Sequence, residues 1–303
     1  MSKGLVSLID NRIAPTLALH LSRVLSASQT YRFADFFADR FAAHQEYPLI
    51  RALRLNQAVV RGLPADSPEL DDVIRLVLRN AARGYADWFR SMKLSPQALA
   101  AVCAIDENLE RAAQRALAGG RGLVLVGAHT SSFNILLLTL ARRGLPIQVL
   151  TYPEGRGRYN IGKAVWPQFG LEFTPISIRS LRLAARRLER GGIVLTGADW
   201  PDPGGAELDF FGRKTRLLTG HARMALQTHS QVLVGVCAGL GPGRYTISGP
   251  PLIDPELSGD RHRDTLALAQ RILGFLEDYI RGRPDEWLMF VPVWPEAASS
   301  QQT

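Results

Sequence analysis

Residues 120–135 read GRGLVLVGAHTSSFNI, a short apolar run followed by a polar loop and the start of an apolar helix. The run at residues 123–126 consists only of Leu and Val, which is typical of a strand buried on both faces. His129 comes just after this run, and Asn134 lies at the start of the helical pattern that continues as ILLLTLARRG. The stretch therefore predicts a strand, a loop bearing a histidine, and a helix.

Similar apolar runs and helical patterns alternate along the rest of the chain. The runs lie at residues 147–150, 193–195 and 232–236, and the helical patterns at 134–143, 179–190 and 219–229. This alternation predicts an α/β fold with a largely parallel central sheet flanked by helices. Sites in such sheets form where strands end and loops lead into helices, so the candidate loops are 127–133, 151–162 and 197–220.

The chain before this alternation is predicted to be helical, and we divide it into residues 1–94, an N-terminal helical region packed on the core, and residues 95–303, the α/β core. Residues 13–25 have the spacing of an amphipathic helix. That helix either packs on the protein's own core or lies in a membrane interface with its arginines at the headgroups. A second helix is predicted over 67–93.

Three further elements are predicted around and within the core. Ser95-Pro96 and Gly119-Gly120 are helix start and stop signals, which predict one helix over 95–118. Residues 241–253 have the pattern of an edge hairpin, and residues 260–281 that of a closing helix.

The composition gives a net charge of +8, carried by 32 Arg and only 4 Lys. Guanidinium groups suit phosphates, anionic lipid headgroups and nucleic acid, although a GC-rich genome produces the same bias. Cys103 and Cys237 lie far apart and outside any metal-binding spacing, so neither a disulfide framework nor a zinc site is predicted. No run of about 20 apolar residues and no signal peptide is evident, so we expect the cytoplasmic side of the membrane.

GRGLVLVGAHTSSFNI resembles the first block of the lysophospholipid acyltransferase superfamily, whose motif is a histidine, four residues, and Asp or Glu. The chain is most similar to the branch that contains the lipid A biosynthesis lauroyl and myristoyl acyltransferases and the phosphatidylinositol mannoside acyltransferases. Four further blocks resemble this branch in its own order: IDENLERAAQRALAGGRG (105–122), LERGGIVLTGADWP (188–201), LDFFGRKTRLLTGHARMALQTHSQVLVGV (208–236) and PDEWLMF (284–290).

The resemblance implies transfer of a fatty acyl chain from a thioester of acyl carrier protein or coenzyme A to a hydroxyl of a glycolipid or lysophospholipid. A hydroxyl is a poor nucleophile until its proton is accepted, and an imidazole with a pKa of about 6.5 suits that task. We expect His129 to be this general base. The expected partners are membrane lipids and the acyl donor, at the cytoplasmic face of the cell membrane.

Several absences are also expected. The thioester is already activated, so neither a metal nor a cofactor is expected. No nucleic-acid recognition module accompanies the positive charge, so nucleic acid is not expected as a partner. The sequence leaves the oligomeric state open.

Asn134 departs from the family motif, because it stands where the motif has an acid. We expect the Asn134 amide oxygen to accept the Nδ1 proton of His129 and orient the ring, although an amide does not neutralise the imidazolium. Either another carboxylate substitutes, or the enzyme is slow, or the protein is an inactive relative that binds acyl chains or lipids. Asp199, which matches the acid of the family's third block, is the leading substitute; the alternative is a loop acid without contact to His129.

Candidate substrate-binding residues come from two segments. Arg158, with Arg156, lies in a basic loop and either contacts a phosphate of the acceptor or donor or is simply solvated. In the FFGR segment, Gly212 allows a ligand to approach Arg213 closely. Phe211 there either lines an acyl tunnel or belongs to the core. Gly220, from the same family-like block, completes the set.

Overall fold

Helices and strands alternate along most of the chain in the structure, a computed structural model that describes residues 26–152 and 170–294. The helices in these residues are α1 (Ala27–Ala42), α2 (Pro48–Arg61), α3 (Glu69–Ser91), α4 (Pro96–Val102), α5 (Glu107–Ala118), α6 (Phe133–Ala141), α7 (Ile178–Glu189), α8 (Gly220–Gln227) and α9 (Arg261–Gly282). The strands are β1 (Cys103–Ile105), β2 (Leu123–Gly127), β3 (Ile147–Thr151), β4 (Leu171–Pro175), β5 (Ile193–Gly197), β6 (Pro201–Phe210), β7 (Arg213–Leu217), β8 (Gln231–Val234), β9 (Val236–Gly241) and β10 (Arg244–Ser248).

Five parallel strands form the central sheet, in the order β4-β3-β5-β2-β8. The strand β2 lies inside this sheet, with β5 on one side and β8 on the other. The predicted α/β fold with a largely parallel central sheet is therefore confirmed. The pairing of β2 with β5 runs in register from Leu123 opposite Ile193 to Gly127 opposite Gly197, so the two strands end side by side.

Both faces of the central sheet are covered by helices, as its largely apolar strands require. On one face, Val124, Val126 and Val194 pack in a core cluster with residues of α7, α8 and α9. On the other face, Leu123 and Ile193 pack in a second cluster with residues of α5 and α6. Successive side chains of β2 thus point to opposite faces, and the loops at the carboxyl end of the sheet remain for the site.

The single helix predicted over 95–118 is wrong, because strand β1 interrupts it. Residues Cys103–Ile105 pair in parallel with β10. The side chain of Asp106 then accepts hydrogen bonds from the backbone N–H of Asn108, at 2.9 Å, and of Leu109, at 3.1 Å, and so begins α5 as a new helix. Pairing with a distant strand overrode the local helical pattern.

The predicted strand at 232–236 is also divided. Its first part is β8 of the central sheet, and after Gly235 the chain continues as β9 in a three-stranded sheet of order β1-β10-β9. A hairpin is present, but it begins earlier than the predicted range 241–253, because it consists of the antiparallel strands β9 and β10. Cys103 and Cys237, in this second sheet, are buried and free.

Helices α1, α2 and α3 share a hydrophobic cluster that also includes Leu288 from the end of the described chain. Asn56 of α2 donates hydrogen bonds to the backbone oxygens of Met289, at 3.0 Å, and Val291, at 2.8 Å. The N-terminal helices are thereby attached to the C-terminal segment. The amphipathic helix predicted at 13–25 lies outside the described residues, and the boundary at residue 94 stays a prediction. Within residues 26–152 and 170–294, no helix combines the length and apolar character needed to cross a bilayer.

One buried histidine makes stability depend on pH. His221, in the first turn of α8, is 3% exposed, and its Nε2 has no hydrogen-bond partner in the described part of the chain. Burial lowers the pKa of His221 from 6.5 to about 4. As the pH falls from 6.5 towards 4, the unfolded chain takes up a proton at this residue before the folded protein does. We expect the free energy of unfolding to fall by roughly 3 kcal/mol across this window.

Urea unfolding at a series of pH values between 7 and 4 checks this expectation. His221→Leu removes the titrating group, so part of the pH dependence should disappear. His262→Leu, which changes an exposed histidine of α9, should retain the wild-type dependence. An unchanged pH dependence in His221→Leu would contradict the assignment.

Candidate active site

His129 and Asp199 meet because they follow neighbouring parallel strands. Gly127 at the end of β2 pairs with Gly197 at the end of β5, and each of the two residues lies two positions further along its chain. The Nδ1 atom of His129 is 2.9 Å from Oδ1 of Asp199. A histidine and a carboxylate therefore lie in contact at the carboxyl edge of the sheet, where α/β proteins place their sites.

The carboxylate of Asp199 has three hydrogen-bond donors. Oδ1 contacts the His129 ring, while Oδ2 accepts from the backbone N–H of His129, at 2.9 Å, and from Nε1 of Trp287, at 3.0 Å. The side chain of Asp199 is fully buried, whereas that of His129 keeps 31% exposure. Asp199 is thus fixed in the interior, while the imidazole of His129, to which it is hydrogen-bonded, remains accessible to a substrate.

Each member of this pair changes the ionisation of the other. Burial acts to lower the pKa of His129, but the negative charge and the hydrogen bond of Asp199 outweigh it, and the pKa is raised above 6.5. Burial acts to raise the pKa of Asp199, but the charge and hydrogen bonds of His129, together with that of Trp287, outweigh it, and the pKa is lowered below 3.8. Asp199 is therefore a carboxylate at neutral pH, and it makes His129 a stronger base.

Aromatic side chains surround the His129 ring. Phe133 of α6 lies edge-on to it with ring centres 5.4 Å apart, and Trp200 lies 5.6 Å away at a tilted angle. Tyr152 packs on Trp200 at 5.5 Å and donates a hydrogen bond to Asp202. None of these aromatic residues was predicted from the sequence, although Trp200 stands next to Asp199. A histidine bordered by aromatic rings suits a substrate that brings apolar groups to the base.

The PDEWLMF segment, residues 284–290, is joined to the histidine loop by backbone hydrogen bonds. The backbone N–H of Leu288 donates a hydrogen bond to the carbonyl oxygen of His129. The backbone N–H of Ser131 donates one to the carbonyl oxygen of Glu286, and both bonds are 2.7 Å long. Ser131 has a φ of +46°, an uncommon conformation for a residue other than glycine. These two bonds flank Trp287, so one segment braces both His129 and its acid.

The sequence matches the family model of bacterial lipid A biosynthesis acyltransferases over residues 17–296. The chain belongs to this family. It is similar to the phosphatidylinositol mannoside acyltransferase of Mycolicibacterium smegmatis, with 30% identity over 268 residues that cover 84% of this chain and 82% of that protein. It is also 28% identical over 257 residues to the phosphatidylinositol mannoside acyltransferase of Mycobacterium tuberculosis, covering 80% of this chain and 76% of that protein. The resemblance found in the sequence is confirmed, and the chain is an acyltransferase of lipid biosynthesis.

The position of Asn134 in this acyltransferase differs from the expectation that it orients the histidine. Asn134 lies in the first turn of α6, and among the described residues no hydrogen bond joins it to the His129 ring. The Nδ1 atom contacts Asp199 instead, which lies two residues beyond the end of β5. The expectation that the Asn134 amide holds the ring is therefore wrong, and the carboxylate in contact with the ring follows the neighbouring strand of the sheet, β5.

The FFGR segment of the acyltransferase forms the tight turn between β6 and β7. Phe211 and Gly212 have φ values of +54° and +70°, as in a two-residue hairpin turn, so the glycine serves the backbone of the turn. Phe210 is fully buried, and Phe211 stacks on Trp287 with ring centres 6.4 Å apart. Both phenylalanines thus pack against Trp287 and the core, which agrees with the core interpretation of this segment.

Two further candidate residues lie at the starts of different elements. Arg213 is the exposed first residue of β7, and Gly220 is the exposed first residue of α8. Arg158 lies outside the described residues. The substrate-binding roles of Phe211, Gly212, Arg213 and Gly220 therefore stay predictions.

Proposed function

We propose that this acyltransferase moves a fatty acyl chain from a thioester, carried by acyl carrier protein or coenzyme A, to a hydroxyl of a glycolipid, with His129 as general base. The observation that carries the proposal is the 2.9 Å contact between Nδ1 of His129 and Oδ1 of Asp199. It supplies a carboxylate to the histidine, although this chain has Asn134 where the family motif has an acid. An active enzyme is therefore the better proposal than an inactive lipid-binding relative.

In the proposed reaction, Nε2 of His129 takes the proton of the acceptor hydroxyl while its oxygen attacks the thioester carbonyl carbon. The new C–O bond gives a tetrahedral intermediate, and the C–S bond then breaks. The departing thiolate receives the proton from the imidazolium, which regenerates the neutral ring. Asp199 stays ionised throughout and stabilises the imidazolium. The thioester is already activated, so the proposed transfer requires no metal and no cofactor.

The relatives direct the choice of acceptor. Two proteins that align with most of this chain are named phosphatidylinositol mannoside acyltransferases. We therefore propose a glycolipid with a phosphorylated headgroup as the acceptor, which also suits the arginine-rich surface.

The test is an acyl-transfer assay with purified protein. The same radiolabelled acyl chain is presented on coenzyme A and on acyl carrier protein, with phosphatidylinositol mannoside, a lysophospholipid or a lipid A precursor as acceptor. We expect label in a glycolipid, phosphatidylinositol mannoside or the lipid A precursor, from at least one of the two donors. Label only in a lysophospholipid, or only in free fatty acid released by hydrolysis, would contradict it.

The outer face of α1, formed by Phe33, Phe36 and Phe37, supports a membrane location for this reaction. These side chains are 48%, 64% and 61% exposed, and Arg32 and Arg40 are exposed beside them. Aromatic rings next to arginines suit the boundary between anionic headgroups and acyl chains. We propose that this face contacts the cytoplasmic leaflet of the membrane.

Phe36→Ser is expected to weaken binding to vesicles of phosphatidylcholine and phosphatidylglycerol by about tenfold, because a phenyl ring no longer enters the bilayer interface. Sedimentation of protein with vesicles measures the effect. Leu257→Ser, which removes a side chain of similar exposure (54%) just before α9, is the matched control and should bind as the wild type does. Equal binding by both variants would contradict a contact through α1.

A further inference from the structure

Trp287 is the largest side chain that the described chain buries completely, and it makes a polar contact in the candidate active site. Its Nε1 donates to Oδ2 of Asp199 at 3.0 Å. We propose that Trp287 is a positioning residue for acyl transfer, whose indole N–H holds the Asp199 carboxylate in the orientation that keeps Oδ1 on His129. This inference rests on the proposed function of His129 as the base.

The hydrogen-bond donors around the Asp199 carboxylate fix its orientation. Oδ2 accepts both the backbone N–H of His129 and the indole N–H of Trp287, and Oδ1 contacts the Nδ1 atom of the ring. The two donors on Oδ2 lie on different segments of the chain and together restrict rotation of the carboxylate. Without the indole N–H, one backbone bond remains to hold Oδ2, so the alignment of Oδ1 with the ring is less restricted.

The side chains around Trp287 prevent its indole from moving with a displaced Asp199 carboxylate. Its ring packs against Phe210 at 5.8 Å and Phe211 at 6.4 Å between ring centres. Its backbone forms a β-bridge with Thr130, next to His129. The indole is therefore a rigid reference point that is connected to both members of the His129–Asp199 pair.

The hydrogen bond from Trp287 also affects the basicity of the Asp199 carboxylate, and through it the protonation of His129. A hydrogen bond from the indole N–H stabilises the carboxylate and so makes it a weaker base. When that bond is lost, the carboxylate attracts the proton of the imidazolium more strongly. The neutral, reactive form of His129 then appears only at higher pH, so the acidic limb of kcat/KM should move to higher pH. A residue that serves only to pack the core would not move this limb.

The chain offers a matched control for this experiment. Trp294 belongs to the same aromatic group, stacking on Phe210 with ring centres 5.5 Å apart, and is 4% exposed. Its Nε1 is buried without a hydrogen-bond partner among the described residues. Trp294→Phe thus removes an indole from the same cluster without removing a bond to Asp199.

Acyl transfer is measured for wild type, Trp287→Phe and Trp294→Phe across a pH series. For Trp287→Phe we expect kcat to fall by about 10- to 100-fold, as for loss of a hydrogen bond to a charged group, with little change in KM for the donor. The acidic limb of kcat/KM should move to higher pH. For Trp294→Phe we expect the kcat and the pH profile of the wild type.

A second variant guards against a folding defect in Trp287→Phe. Benzothienylalanine inserted at position 287 replaces the indole N–H by sulfur and keeps the shape of the ring, and it should reproduce the loss of kcat and the shift of the limb. If an active wild type is matched in kcat and pH profile by this variant and by Trp287→Phe, the inference is overturned while the proposed function stands. A wild type that transfers no acyl group overturns both.

Discussion

Replacing His129 with alanine is expected to lower the rate of acyl transfer by about 10²- to 10⁴-fold, the range that general-base catalysis contributes. The imidazole is the group through which the proposed reaction removes the proton of the acceptor hydroxyl. Its side chain is 31% exposed, so a substrate can reach it, while its Nδ1 is occupied by a buried carboxylate. The measurement is the single-turnover rate of transfer from labelled donor to glycolipid at saturating concentrations of both.

His262→Ala is the control for this variant, since it removes an exposed histidine from the first turn of α9. We expect it to retain the wild-type rate. A rise of KM in His129→Ala with kcat unchanged would show that the imidazole binds substrate without taking part in the chemistry. Turnover equal to that of His262→Ala would remove His129 from the mechanism altogether.

Asp199→Asn is expected to lower kcat by about 10²- to 10⁴-fold; the same change in the serine-protease triad lowers kcat by about 10⁴-fold. An asparagine keeps the size of the side chain but loses the charge that stabilises the imidazolium. It also places an amide N–H₂ among three hydrogen-bond donors, from the His129 backbone, the His129 ring and Trp287, each of which needs an acceptor. The ring is then held less firmly and in a changed tautomer.

The contrast with Asn134 makes this prediction specific. Asn134→Asp restores the acid of the family motif, but since Asp199 already holds the ring, we expect it to leave kcat within about threefold of the wild type. Asn134→Ala should behave likewise. A large gain of activity in Asn134→Asp, together with a small effect of Asp199→Asn, would contradict this prediction. The functional acid would then belong at position 134, as in the family motif.

Four of the five strands of the central sheet, all but β4, were predictable because their signals are local. Apolar runs such as that at 123–126 and the helical patterns between them indicate a parallel sheet without knowledge of the strand order. The pairing of β2 with β5 is not local, and it is this pairing that brings His129 to Asp199. The resemblance to the family named Asp199 as a candidate, but the sequence left open whether it contacts the histidine.

The features that escaped prediction depend on distant parts of the chain. Strand β1 lies within a helical pattern and forms only because β10 is beside it. The hairpin of β6 and β7 lies within what the sequence indicated as a loop, 197–220. Trp287 reaches Asp199 across 88 residues of chain. The PDEWLMF motif marked its segment as family-like, but no local pattern indicated a hydrogen bond to the acid.

The central claim, that His129 and Asp199 act as one unit, is tested most directly by a double-mutant cycle. The transfer rates of His129→Ala, Asp199→Asn and the double variant are compared with that of the wild type. Our account predicts that the double variant is no slower than His129→Ala, because the acid acts only through the ring. Losses that multiply in the double variant would contradict it, since they would mean that the two residues act independently.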